Sequence, residues 1–242
     1  MAGRMRKIIS AVMAALMIMA AGGCGSSNKE IPSSADNSRY ISETKDNGNV
    51  TDGKEYDIDN GGLPYDEETV YNQLFDINNK GEIDVDISDD ELAKMQSDYN
   101  RYDNMGSKSP IYRKCDLKIS ITSDGVKNTY IIRNTGIRMK GNTSRTAFYD
   151  SNSGVYSLIH FKVDFTETFD DERYYGGDSD YDLDIDKEKQ QNRTFATLDS
   201  MEIKWNQTSD STYVREYYTC EMYRDFGILA QRTNLASINL GD

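Results

Sequence analysis

Apolar residues in this chain come in short runs of period two, and that spacing commits it to a sheet. Ile83, Val85 and Ile87 alternate with Asp84, Asp86 and Ser88. Leu117, Ile119 and Ile121 alternate with Lys118, Ser120 and Thr122, and Ile159, Phe161, Val163 and Phe165 alternate with His160, Lys162 and Asp164. Successive side chains of a strand point to opposite faces, so each run predicts a half-buried strand. Asp124-Gly125 supplies a hairpin turn between the second run and a strand over 127–133. The strand GIRMKG (136–141) follows, and MEIKW (201–205) and the last residues, NLASINLGD, add two more. Helical spacing is rarer. A short helix is expected over 67–75. Ser88 with Glu91 three residues later forms a capping box that opens a helix to about Tyr102. Over 211–226, Val214, Tyr218, Met222 and Phe226 recur every four residues, with Gly227 at the C-cap. The fold class predicted is α+β, an antiparallel sheet with packed helices.

The N-terminus carries a different signal. Arg4, Arg6 and Lys7 precede an apolar run over 8–21 that is short for a membrane span but suited to export. Ala21-Gly-Gly-Cys24 ends the run and resembles the lipobox of bacterial lipoproteins, in which the signal is cut before the cysteine and the new N-terminal cysteine carries lipid. Residues 1–23 are therefore expected to be a signal peptide and Cys24 the lipidation site. That implies an extracytoplasmic protein anchored to the cell membrane by lipid. Residues 24–65, rich in Ser, Asn, Asp and Gly, read as a disordered spacer. Residues 66–242 are left as the domain. Cleavage would remove three cations and no acid, moving the formal charge from -13 to -16. So acidic a chain repels nucleic acid and anionic membrane surfaces, so no nucleic-acid partner is expected and any phosphate site must be built locally.

Candidate chemistry is sparse. A single histidine, His160, excludes sites built on several imidazoles. Cys115 and Cys220 would be left after lipidation of Cys24, and an oxidising compartment permits a disulfide between them without requiring one. DINNKGEIDVDI from Asp76 imitates a calcium loop but has Lys80 and Ile87 where ligands belong. DSDYDLDIDKEK from Asp178 reads as a solvated acidic loop within a longer one over 169–194. Neither a Walker A loop nor a G-x-G-x-x-G run is present. In KGNTSR, the backbone N–H groups, Lys140, Arg145, Thr143 and Ser144 could converge on an anion, although an ordinary turn would also select Gly-Asn-Thr-Ser. Lys162 suits a phosphate contact from a strand, and equally an ordinary solvent-facing strand. The 17 tyrosines could stack on sugars or fill core and sheet.

In order along the chain, GIRMKGNTSR, HFKVDF and MEIKWNQTSDSTYVREYYTCEMYRDFGILAQRT resemble the spore coat protein H (CotH) kinase family over roughly residues 83 to 242. The resemblance implies a partial atypical protein-kinase-like fold that uses ATP and a divalent metal, Mg or Mn, to phosphorylate Ser or Thr, with surface or coat proteins as substrates. It implies that Arg138, Lys140, Asn142 and Ser144 line the nucleotide phosphates, that Lys162 is the strand lysine, and that Arg215 and Glu216 orient or pair with it. Lys140 stands where arginine is commoner, which keeps the charge but not the bidentate grip. The family continues beyond the segment matching TNLASINL with an Asn-Gly hairpin, a Gly-x-Tyr-x-x-x-Glu strand and the aspartates that act as base and bind metal. No catalytic or metal residue is assigned here. The expectation is a domain truncated at its C-terminus and inactive as a kinase. The alternative is a non-catalytic surface binding or structural lipoprotein module.

Overall fold

The computed structural model describes residues 11–17, 50–58, 65–141, 147–150, 155–156, 159–204 and 214–241. In chain order the strands are β1 (Ala11–Met17), β2 (Thr51–Asp57), β3 (Lys80–Asp86), β4 (Arg113–Ser123), β5 (Val126–Lys140), β6 (Tyr149–Asp150), β7 (Val155–Tyr156), β8 (His160–Asp164), β9 (Ser200–Lys204) and β10 (Thr233–Leu240). The helices are α1 (Glu67–Leu74), α2 (Asp89–Asp103), α3 (Glu172–Tyr175), α4 (Lys187–Gln191) and α5 (Arg215–Asp225). The main sheet runs β2-β5-β4-β3-β10-β1-β9-β8, and β8 also pairs with β5, so the sheet curls back on itself. Its pairs are antiparallel except β2 with β5 and β3 with β10.

The curl depends on β5. Its first half pairs with β2 and its last residues, 136–140, with β8. The two strands expected over 127–133 and 136–141 are one strand of 15 residues. Asn134, at φ 48°, marks a bulge where the register with β4 shifts, and its N–H donates to Asp116 Oδ1 at 2.8 Å. A bulge bends a strand and increases its twist, which lets one strand serve both ends of the sheet. The β4–β5 turn follows the expected chemistry: Asp124 and Gly125 take φ 51° and 76°, the two positive values that a tight hairpin demands.

The period-two residues fill the interior. Ile83, Val85, Leu117, Ile119, Ile121, Ile132, Ile137, Val163 and Phe165 are buried in one core, with Val70 and Leu74 of α1 and Met95 of α2 joining it. Ser88 accepts from the Glu91 N–H at 3.2 Å, the cap anticipated for α2.

Three expectations change. Thr51–Asp57, counted in the spacer, is a sheet strand, and Ile58 beyond it is buried. The acidic stretch is built rather than loose. Asp171, Asp178 and Asp186 accept backbone N–H bonds from Arg173, Asp180 and Lys189, starting α3, a 3-10 turn and α4. Phe169, Tyr175 and Tyr181 form a second apolar cluster with Ile111. Finally, the apolar stripe of α5 faces outward: Tyr218, Met222 and Phe226 are exposed, and Tyr217 is the buried residue of the helix. Cys115 and Cys220 are free thiols. Among the described residues no helix is long and apolar enough to cross a membrane.

Candidate functional site

Strand pairing sets Arg138 of β5 opposite Lys162 of β8, and Lys162 opposite Glu202 of β9. Directly paired residues share a face, so these three side chains form a row across the sheet. On β5 and β8 the flanking residues Ile137, Met139, Phe161 and Val163 are buried on the core side. Lys140 pairs with His160 one step along the same face, and Lys204 follows Glu202 at the strand period. The sheet therefore gathers Arg138, Lys140, Lys162 and Lys204 on one surface of a chain whose formal charge is -13.

The acids there are outnumbered. Glu202 is 5 % exposed; one of its oxygens accepts from Lys140 Nζ and the other, Oε2, has no hydrogen-bond partner. Arg138 reaches Ser109 O with Nη1 at 3.3 Å and lies over the Tyr112 ring at 5.0 Å, while its buried Nε has no partner. Lys162 Nζ meets Asp164 at 4.0 Å. Burial, then the charges of Lys204, Lys162 and Arg138, hold the Lys140 ammonium below the ordinary lysine pKa. Burial and Lys204 likewise push the His160 imidazole down. In both cases burial is the leading cause and the neighbouring cations add to it.

The pairing assigned to Glu216 differs from expectation. Its carboxylate accepts from Lys204 Nζ at 3.1 Å, not from Lys162. Lys204 ends β9 and Glu216 lies in the first turn of α5, so the contact is a strand lysine held by a helix glutamate. Two residues of the face, Glu202 and Lys204, were missed in the sequence. Both sit in MEIKW, and the only signal was the alternation that puts them on the polar side. Asn142, Ser144 and Arg145 lie outside the described residues, as does Cys24.

A nucleotide phosphate fits the charge and the donors of this face: four cations, one of them with a buried, unanswered N–H. For a divalent metal, the described residues of this face supply no cluster of acids. Among the described residues the one acidic group close enough to hold an ion is Asp90, Glu91 and Asp180. It lies on α2 and the acidic segment and already surrounds an ammonium, since Lys94 Nζ contacts Asp90, Glu91, Asp178 and Asp180 at 2.9–3.0 Å. The Asp76 loop closes on itself in the same way, its carboxylate accepting from Asn78 N at 2.9 Å and Asn78 Nδ2 at 2.8 Å. No protein-family model matches the chain, and no curated protein or solved structure matches it.

Proposed function

We propose that the protein is a lipid-tethered, extracytoplasmic relative of the CotH kinases that binds the phosphates of ATP on the β5–β8–β9 face and does not transfer phosphate. The observation that carries this reading is the cluster of Arg138, Lys140, Lys162 and Lys204 on one sheet face of an acidic chain. Cations gathered on one face repel one another, and a phosphate joining them relieves the repulsion that three carboxylates leave among four cations. The Lys204–Glu216 pair adds to it, because a strand lysine positioned by a helix glutamate is the phosphate contact of protein kinases. Transfer also needs a base and a coordinated metal, and the described acids of this face, Asp164, Glu202 and Glu216, are instead bound up with its lysines.

Calorimetric titration of the full chain with ATP in magnesium or manganese buffer tests both halves. Binding is expected, weakened about tenfold or more by Lys162→Ala with Lys204→Ala, since each charge-assisted bond is worth about 1.5–3 kcal/mol. ATP labelled on its terminal phosphate should leave no label on the chain or on an acceptor protein. Absence of binding overturns the nucleotide reading, and label that disappears in Lys162→Ala overturns the inactive one. A second reading, a non-catalytic surface binding module, is favoured by the exposed Met222, Phe226, Ile228 and Leu229, an apolar surface near the same helix.

A further inference from the structure

Between β9 and β10 the main sheet contains a slot one strand wide. β9 is bonded to β8 on its other side and β10 to β3; among the described residues the two do not pair with each other and β1 alone bridges them. β1 is Ala11–Met17, drawn from the apolar run that reads as an export signal. It matches the slot incompletely. Only Ala15, Leu16 and Met17 are in register with β9, and the register with β10 slips between Ala11 and Ala14.

The walls of the slot carry a second mark. Met17 pairs with Glu202 on one side and Thr233 on the other. Glu202 is 5 % and Thr233 1 % exposed, and Glu202 Oε2 and Thr233 Oγ1 both lack a hydrogen-bond partner. Two of the four buried side-chain polar atoms without a partner among the described residues thus flank one position of the slot. Leaving such groups unanswered is costly, and a carboxylate oxygen is answered only by a hydrogen-bond donor.

We propose that this slot is a strand-acceptor site. It takes an extended, largely apolar segment of a partner polypeptide, antiparallel to both walls, whose residue at the place of Met17 carries a side-chain hydrogen-bond donor. Ala11–Met17 is the occupant in the uncut chain. Main-chain bonds to two facing edges supply affinity for any extended segment, and the orphaned pair supplies preference. The site lies beside the phosphate-side row, because Glu202 belongs to both. It does not depend on that row binding nucleotide.

The test uses the full chain with a protease site engineered after Ala21, compared before and after cutting. The probe is a fluorescent synthetic peptide with the sequence of residues 8–21, together with versions carrying Asn or Leu at the place of Met17. The cut chain is expected to take up the peptide and the intact chain to refuse it. The Asn peptide should bind about tenfold more tightly than the Met or Leu peptides, as two buried polar atoms regain partners. Failure of the cut chain to bind the peptide overturns the acceptor site, whether the cut chain remains folded or not. Equal binding of the Asn, Met and Leu peptides overturns the assigned donor preference. ATP titration of the same cut and intact chains reads the nucleotide face separately.

Discussion

Gly136, the first residue of the family-like motif, is required by packing. A Cβ there would lie 2.8 Å from Glu167 Cβ and 3.0 Å from Tyr112 Cβ, closer than carbon atoms tolerate. Gly136→Ala should destabilise the chain by about 1–3 kcal/mol, read from urea denaturation, through overpacking rather than loss of chemistry. Arg113 is the other residue on which much converges. Its guanidinium donates to both oxygens of Asp98, at 2.8 and 2.9 Å, and to Tyr181 Oη at 3.1 Å, inside the fold. Tyr181 in turn donates to Glu91, whose other oxygen meets Lys94. Asp98→Ala strands a buried cation and is expected to cost about 3–5 kcal/mol by the same measurement. None of this was legible in sequence, where Arg113, Asp98 and Tyr181 are ordinary polar residues 15 and 68 positions apart. Arg193 was equally silent. It donates to the carbonyls of Phe165, Arg133 and Asn134 and so ties the segment after α4 to the β5 bulge.

At the level of elements, the row across β5, β8 and β9 gives stability a pH dependence. Folding lowers the His160 pKa from its usual 6.5, through burial and then Lys204, so the native state favours the neutral ring. The contribution is present above pH 6.5 and is lost as pH falls through the folded value. The thermal midpoint should therefore drop between pH 7.5 and 5.5 more steeply than in His160→Gln. Helix α5 shows where periodicity misleads. A four-residue repeat identified the helix but not which side is covered, because an apolar stripe is buried only if another element arrives to bury it. Tyr217 is buried, while Met222 and Phe226 stay in water, Phe226 at 75 % exposure. A dye that reports apolar surface, such as ANS, should bind the full chain. Replacing Met222, Phe226 and Leu229 together by serine should cut its fluorescence at least by half without lowering the thermal midpoint; unchanged fluorescence would place the dye elsewhere.

For the whole molecule, charge acts in two opposed ways. A formal charge of -13 repels itself, so added sodium chloride should raise the thermal midpoint by screening. The same salt should weaken ATP binding to the cationic face, so the two slopes have opposite signs and separate the global field from the local one. The curled sheet makes that local field possible, because β5 pairs with β8 and β8 with β9, which brings residues from three separate stretches of chain onto one face. The sequence by itself determined the strands, the turn at Asp124-Gly125, the Ser88 cap and the polar side of each strand, because these follow from spacing and from interactions between near neighbours. Only the tertiary structure decided that Lys204 rather than Lys162 holds Glu216. It also decided that Glu202 joins the row, and that an apolar N-terminal run occupies a slot in the sheet. Those outcomes depend on which strands become neighbours, and pairing between residues tens to hundreds of positions apart leaves no mark in the spacing of either.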